Sequence, residues 1–528
     1  MRKYVSFPLF LGVAAWGVLR LRPGAYCSAF DASARIWQGT SRVTDWFWTG
    51  FDGGVGSQRL GAWAWAGTVA WTACAYFLVP AQADTLEGAL VLAYQNNPSL
   101  NAQRAAVRAI DEGVPQALAG YRPRVTASGS VGSQYWDTTT RQLPFVPSTT
   151  NTSPYTHLSG QMTPYGGGVT VTQTLYNGFQ TANRTRQAEG QVQSARESLR
   201  TTEQTVLLSA VTAYMNLLRD TAILDLQRRN VEVLQEQLRQ TRDRFNVGEV
   251  TRTDVAQSES RLASGRSQVL SAEATYTASV ATYRQVIGVQ PGKLAPGAPV
   301  DRFSPNTLPG SVDVGTATHP QVTTAQYNVD VALQAVKVAE GALYPTLSLQ
   351  GSAQQNNEQS LLGLKSFNAL VLGQLTIPIY QGGSEYALIR QAKETLGQQR
   401  LNLDTSRDSV RQNIVQSWGQ LEAAKANIEA TQAQVQASEI ALNGVREEAR
   451  VGQRTTLDVL NAQQELVNAR VALVSAQRDR VVASYTLLAS VGRLSPQILA
   501  LRVPTYDAAV HYHQVRDSWA GVRTPDGR

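Results

Sequence analysis

Val247-Gly248-Glu249-Val250-Thr251-Arg252-Thr253-Asp254-Val255 returns 204 residues later as Val451-Gly452-Gln453-Arg454-Thr455-Thr456-Leu457-Asp458-Val459. In both stretches a glycine able to take positive φ precedes Thr251-x-x-Asp254 or Thr455-x-x-Asp458, the pattern of a capped helix start. Each therefore reads as a tight reversal between two helices. The same shift carries Tyr176-Asn177-Gly178 onto Tyr380-Gln381-Gly382 and Ile287-Gly288 onto Val491-Gly492, with no gap from 169 to 288. Upstream the offset becomes 222, matching Pro98 to Pro320, Pro123 to Pro345 and Gly129 to Gly351. The 18 extra residues of the first copy fall between 129 and 176. The chain is an internal duplication.

Each copy reads as one unit of short helix, strand pair and long helix pair. The opening helix stops at Pro123 or Pro345, because proline disfavours helix in the residue before it. Alternation of period two follows. Val125, Ala127, Gly129 and Val131 share one face in the first copy, and Leu347, Leu349, Gly351 and Ala353 in the second. Val169, Val171, Gln173 and Leu175 return in the first, and Val371, Gly373, Leu375, Ile377 and Ile379 in the second. These predict half-apolar strands over about 122–136, 158–176, 345–356 and 368–380. The connection from Leu143 to Gly168, rich in Pro, Thr, Ser and Gly, reads as an exposed loop.

Beyond Gly178 and Gly382 proline vanishes, from 165 to 290 and from 379 to 495. Apolar residues step by four, three or seven (Val192, Ala195, Leu199, Val206 and Ala210 onward; Leu396, Leu403, Val410 and Ile414 onward), which is coiled-coil spacing. The spacing predicts long helices over about 183–245 and 385–449, each roughly 90 Å long at 1.5 Å per residue. Shorter partners return over about 252–287 and 456–491. Residues 84–288 and 317–501 are then the two repeats, 289–316 a Pro-rich linker and 502–528 a polar tail.

The first 83 residues stand apart and hold seven of the ten tryptophans. Arg59, an apolar run from Leu60 to Val79 and Ala81-Gln82-Ala83 give a basic flank, an apolar core and a small-x-small cleavage site, so export with cleavage before Asp84 is expected. The run is also long enough to anchor in a bilayer. Against that reading, Pro80 and the cleavage site follow it directly. Cys74 lies in a poor lipid-attachment context, and the apolar run continues past it. Residues 1–58 are an unusual extension for a signal peptide, and Val55 offers a start closer to Arg59. Of 47 Lys+Arg and 40 Asp+Glu, 7 and 3 lie in this segment, leaving 40 against 37 and a net charge of +3. That balance, without a basic cluster, excludes a nucleic-acid partner. Cys27 and Cys74 leave with the segment, so the exported chain must draw its stability from packing and assembly.

No stretch after residue 83 is apolar for long enough to cross a bilayer as a helix. The four strands have about the 9–11 residues that a tilted membrane strand needs. Four strands cannot close, and open edges in lipid leave backbone groups unpaired at several kcal/mol each, so several chains would have to share a barrel. Tyr121, Tyr176, Tyr344 and Tyr380 all fall at one end of these strands. There they form either an aromatic girdle at the membrane interface or ordinary strand-end packing.

Taken together, Arg244-Phe245-Asn246-Val247-Gly248, Ile377-Pro378-Ile379-Tyr380-Gln381-Gly382-Gly383 and the 451–460 stretch resemble the TolC-like outer-membrane channel proteins of Gram-negative bacteria, over about 85–500. The resemblance implies a mainly α protein with β structure. Three copies of the duplicated β-hairpin and coiled-coil hairpin unit would build a shared twelve-stranded outer-membrane barrel and a periplasmic α-helical barrel. It implies a homotrimer acting as a passive exit channel for drug efflux or type I secretion, shut at the helical tips. Its partners would be a periplasmic adaptor (a membrane fusion protein), an ABC or proton-driven inner-membrane exporter, and outer-membrane lipid. The rival reading is a periplasmic coiled-coil adaptor or scaffold, which the helices alone would support.

By the same resemblance Asp254 and Arg454 would link neighbouring hairpins and hold the tunnel shut, although Ala449 stands where the family has a tyrosine. Capping by Thr251 accounts for Asp254 equally well. Asp458 and Asn461, one helical turn apart, would line the narrowest point of the pore, where the family carries two aspartates. Asp458 also fits as a cap for Thr455. Val247, Gly248, Val451 and Gly452 would present six small apolar tips to the adaptor, with turn formation as the plainer role of the glycines. Catalytic and cofactor signatures are missing. The sequence has no phosphate-cradling glycine loop, His157 and His319 are isolated, and His511-x-His513 lacks a third ligand.

Overall fold

The computed structural model describes residues 85–141, 155–359, 363–525 and 527. The signal-peptide segment, both cysteines and part of the 143–168 connection lie outside the described residues. The first copy opens with α1 (Leu86–Asn96), α2 (Pro98–Asp111) and α3 (Gly113–Leu118). Thr85 and Asn97 cap the first two helices by accepting from backbone amides of the opening turn, and Pro98 takes the first position of α2, where its missing N–H costs nothing. Pro320 does the same 222 residues on, opening α7 (Pro320–Gly341) after α6 (Leu308–Thr318).

The strands are β1 (Arg124–Val131), β2 (Gln134–Arg141), β3 (Tyr155–Met162), β4 (Tyr165–Asn177), β5 (Thr346–Asn357) and β6 (Ser366–Thr376). One antiparallel sheet runs β1-β4-β5-β6, and β2 and β3 form a separate two-stranded ribbon. Two first-copy strands expected to be unbroken are therefore interrupted, at Gly132-Ser133 and Thr163-Pro164. Pro164 has no N–H for the ladder. Its carbonyl instead accepts from Gly132 N at 2.9 Å, closing the break. Tyr155–His157, expected only in the connection, are thus strand as well. β6 ends at Thr376, before Pro378, so Tyr380 lies beyond the ladder and not at its end.

The register makes one apolar face. Val125 lies opposite Val171, Ala127 opposite Val169, Val169 opposite Ala353, Leu347 opposite Leu375 and Gly351 opposite Val371. Thr126, Thr170, Ser352 and Gln374 fall on the other face. Among the described residues β1 and β6 are each paired on one side only.

After the strands come α4 (Gln180–Asn246) and α8 (Ser384–Arg450), each of 67 residues, or roughly 100 Å at 1.5 Å per residue. α5 (Arg252–Ile287) and α9 (Thr456–Ser490) return along them. Leu234 and Leu238 of α4, Leu262 of α5 and Leu460 of α9 join the two hairpins. The main core sits midway along the helices, where Leu90, Leu207, Val211, Tyr214, Tyr283, Ile287, Tyr485 and Leu488 gather. The copies are not buried alike. Val211 is 0% exposed, whereas its equivalent on α8, Val415, is 47% exposed.

The linker and the tail are both packed. In the linker Val300 is buried, Ala295 O accepts from Tyr214 Oη at 2.6 Å, and Arg480 of α9 grips Asp301 with both terminal nitrogens. The tail contains α10 (Ala508–Val515), which buries His511 against the fully buried Asp111 at 3.1 Å. This corrects the reading of 502–528 as a merely polar tail. A short helix that buries His511 and Val515, with His511 Nδ1 against Asp111 Oδ2, docks on the first repeat.

Candidate functional site

The two helical tips are built alike. α4 ends in a Schellman reversal: Gly248, at φ 79°, donates to Phe245 O at 2.9 Å, and Glu249 N donates to Arg244 O at 2.9 Å. Gly452, at φ 81°, repeats it with Ala449 O at 3.2 Å, and Gln453 N donates to Glu448 O at 2.9 Å. Val247 and Val451 crown the tips at 78% and 70% exposure. α5 and α9 then start from capping boxes. Thr251 N donates to Asp254 Oδ2 at 2.9 Å and Thr455 N to Asp458 Oδ2 at 3.0 Å, while the threonine hydroxyls accept from Asp254 N and Asp458 N at 3.3 Å. Both aspartates therefore cap their helices.

Asp254 and Arg454 line one cleft of about 800 Å³ between the hairpins, together with Arg244, Glu249, Arg446 and Arg450. Within one chain each is held inside its own hairpin. Arg454 Nε bonds Glu448 at 2.9 Å, and Arg244 bonds Glu249 at 2.6 Å. Glu448 occupies the position of Arg244, 204 residues on, so the two tip ion pairs have opposite polarity. Hydrogen bonds from the backbone and side chain of Thr455, with Arg454 nearby, hold the Asp458 carboxyl below its ordinary value. The charge therefore stays on at neutral pH.

Asn461 is not free. Arg261 of α5 donates from Nη2 to Asn461 Oδ1 at 2.7 Å. This contact couples the two hairpins and puts a cation beside the position that the resemblance assigns to the pore lining. Nothing in the sequence flags Arg261, one of many helix-surface arginines lying 200 residues from its partner.

At the other end of the helices Tyr121, Tyr344 and Tyr380 are exposed and Tyr176 is half-buried, its ring edge-on to Phe179 at 5.5 Å. Phe179 stands at φ 61° while 63% exposed. A non-glycine residue there bears roughly 1–2 kcal/mol of backbone strain, which points to a role for its ring. Sequence periodicity missed it because it falls in the turn between β4 and α4. Of the histidines, His157 pairs with Asp137 at 2.9 Å on the half-exposed ribbon, and His319 caps α7 by accepting from Gln321 N at 3.1 Å. Among the described residues no three His, Cys, Asp or Glu side chains gather as a metal site, and no helix is long and apolar enough to cross a membrane.

Structures of similar shape include the Campylobacter jejuni CmeC outer membrane channel, with a TM-score of 0.66 at 16% identity over 82% of this chain and 89% of that one. At that identity the likeness speaks for the fold. In sequence the chain is 42% identical over 449 residues to outer membrane efflux protein BepC of Brucella suis, covering 85% of this chain and 94% of that protein. It is 27% identical over 318 residues to outer membrane protein TolC of Escherichia coli, covering 57% and 64%. The reading as a periplasmic coiled-coil adaptor or scaffold does not account for a match that takes in the strands as well as the helices. The family model for outer membrane efflux proteins matches 89–289 and 316–493, one span in each copy, and leaves out 290–315 of the linker between them. With duplicated strands, duplicated hairpins and matched tips all falling inside those two spans, the chain belongs to the outer membrane efflux protein family, whose members are passive outer-membrane channels and not enzymes.

Proposed function

We propose that three copies join β6 of one to β1 of the next, giving a twelve-stranded barrel whose apolar face meets outer-membrane lipid. The six helical hairpins below it form the periplasmic duct of a tripartite efflux system. One observation carries this reading: the two copies are buried unequally. The long helix α4 is covered where the equivalent surface of α8 is open, as at Val211 and Val415, while of the returning helices it is α9 that is the more covered and α5 the more open. Repeats of one sequence need one environment, and a neighbouring copy supplies it. Pairing β1 with β6 also removes the two open edges, which in lipid would cost several kcal/mol for each unpaired group.

In this duct Tyr121, Tyr176, Phe179, Tyr344 and Tyr380 form the periplasmic-side girdle. Asp254 and Arg454 exchange their own-hairpin partners for those of neighbouring tips when the duct is shut. Asp458, with Asn461 one turn further in, lines the constriction. Val247, Gly248, Val451 and Gly452 dock the adaptor, and the duct opens when that adaptor and an ABC or proton-driven inner-membrane exporter engage it. Efflux is favoured over protein secretion because the 42%-identical relative is named for efflux, whereas the alkaline protease secretion protein AprF of Pseudomonas aeruginosa is 26% identical. Extracted from outer membranes in detergent, the protein should run as a heat-modifiable oligomer. Cross-linking should give bands up to three copies and no further, and planar bilayers should show ion-conducting pores. A monomer recovered from the soluble periplasmic fraction would refute the reading.

A further inference from the structure

We propose that the C-terminal segment ends in a lipid anchor: Trp519, stacked on Arg122, sits in the headgroup zone of the leaflet facing the periplasm. The inference rests on the reading of the strands as membrane-spanning.

Beyond α9 the chain turns back along the first repeat and climbs toward the sheet. Tyr506 N donates to Tyr94 Oη of α1 at 3.2 Å, and Arg104 of α2 lies between the rings of Tyr94 and Tyr506, at 4.5 and 5.3 Å. His511 then meets Asp111 at the end of α2, and Arg516 approaches Glu189 of α4 at 3.8 Å. Last, Arg122 donates from Nη1 to Ser518 O at 2.6 Å and lays its guanidinium over the Trp519 ring at 4.7 Å. Arg122 lies between Tyr121 and the first ladder residue, Arg124. The tail is thus carried to the foot of β1 by successive fixed points, and Trp519 arrives level with the exposed tyrosines.

The chemistry at that point suits a phospholipid headgroup layer. Trp519 is 71% exposed and Val522 fully exposed, so the tail offers apolar surface that the chain itself leaves uncovered. An indole has an apolar ring and one N–H donor, and it concentrates at membrane–water interfaces for that reason. The arginine beneath it fixes the ring by cation–π attraction and is a fork-shaped donor suited to lipid phosphates. Arg122 follows Tyr121 directly in the chain, and Tyr121 O accepts from Gln173 of β4. The tail is therefore held at the foot of the β1–β4 pair, the end at which Tyr176 and Phe179 also lie.

The test uses the full-length protein and its Trp519→Phe variant in phosphatidylcholine–phosphatidylglycerol vesicles, with plain acyl chains or chains brominated near the headgroup. The emission difference between the two proteins isolates Trp519. Val371→Trp, made on the Trp519→Phe chain, reports the apolar face of β6. Brominated lipid should remove most of the emission from both reporters, and aqueous iodide should remove little. In Arg122→Ala the Trp519 component should become open to iodide, with Arg122→Lys restoring part of the protection. Bromine quenching of Val371→Trp, with Trp519 quenched by iodide alone, would place the tail in water or in the lumen. That result overturns the anchor and leaves the spanning strands standing. Failure of bromine to quench either reporter would overturn the spanning reading and the anchor with it. Undiminished lipid quenching of Trp519 in Arg122→Ala would overturn the role of the arginine.

Discussion

Gly178 and Gly382 occupy equivalent places at the junction of strand and long helix, and the structure treats them differently. Both need positive φ, 63° and 70°. A Cβ on Gly178 would fall 2.3 Å from Gly341 O and 2.8 Å from Tyr344 Cβ, whereas a Cβ on Gly382 would meet nothing within 4 Å. Gly178→Ala therefore combines the left-handed cost of roughly 1–2 kcal/mol with an overpacking cost of about 1–3 kcal/mol, or about 2–5 kcal/mol in all. In a single chain Gly382→Ala bears only the first, roughly 1–2 kcal/mol.

The ring changes the second value. The segment that crowds Gly178, Gly341 to Tyr344, has its equivalent 222 residues earlier at Ala119 to Arg122, and in a closed ring the neighbouring copy brings it to Gly382. The boundary must be slightly looser than the internal junction. Ala119 stands where Gly341 does, and a Cβ at Gly341 would come within 2.7 Å of Gly178 O. In detergent-extracted oligomers, denaturant midpoints should fall for both variants, with Gly178→Ala the larger. Refolded single chains should show the Gly178→Ala loss with Gly382→Ala held to the left-handed cost. If Gly382→Ala costs no more in the oligomer than in the single chain, the copies do not close the ring by repeating their internal contact. A neutral Gly178→Ala would refute the packing argument itself.

Burial holds the His319 imidazole below its ordinary 6.5, and its acceptor Nδ1 caps α7. Because the folded value is depressed, its contribution is full above pH 6.5 and is lost as pH falls through the folded value. His319→Asn, which caps without titrating, should flatten that part of a thermal-midpoint profile taken across this range, and parallel profiles would count against the assignment. At the proposed constriction, Asn461→Asp alone should change cation selectivity little because Arg261 neutralises the new carboxylate, while Arg261→Ala with Asn461→Asp should shift the reversal potential across a salt gradient clearly further. Equal shifts would mean that the Arg261–Asn461 contact does not govern that level of the pore. Asp111→Ala leaves His511 without its partner at a buried site, at a cost of about 1–3 kcal/mol, and should speed trypsin cleavage after Arg516 by loosening α10. Desolvation raises the Asp111 carboxyl above its ordinary value, so Asp111→Asn, which keeps the shape, should be cut more slowly than Asp111→Ala.

What the sequence revealed and what it hid divide along a physical line. The duplication, the long helices and the tip reversals rest on glycine, proline and apolar spacing, which act within a few residues, and each was legible. The capping boxes at Thr251 and Thr455 were legible for the same reason. Hidden features depend on partners far along the chain. Asp111 meets His511 across 400 residues, and Arg261 meets Asn461 across 200. The break at Pro164 is closed by its carbonyl accepting from Gly132 N, and α10 hides because its buried face includes a histidine whose partner is remote. The latch pair illustrates the point most sharply. Asp254 and Arg454 do line one cleft, yet each is satisfied at home, by Thr251 and by Glu448, for reasons written within six residues of it.

That local satisfaction bears on why the chain is duplicated at all. Six identical single repeats would put the same side chain at the same height on every tip, and neighbours would meet like to like. With two copies in one chain the backbone stays the same while position 244 is arginine and its equivalent, 448, is glutamate. Around a ring of three chains these then alternate, each tip flanked by tips of opposite polarity. The pairs now made inside the hairpins, Arg244 to Glu249 and Arg454 to Glu448, are exposed on both sides, and such pairs are worth between nothing and about 1 kcal/mol each. Exchanging them for equivalent pairs between tips therefore costs little in either direction. A seal made of several weak, exchangeable contacts can be shut at rest and still yield to the adaptor docking proposed for Val247 and Val451, whereas a buried ionic core could not be broken without about 3–5 kcal/mol for each lost partner.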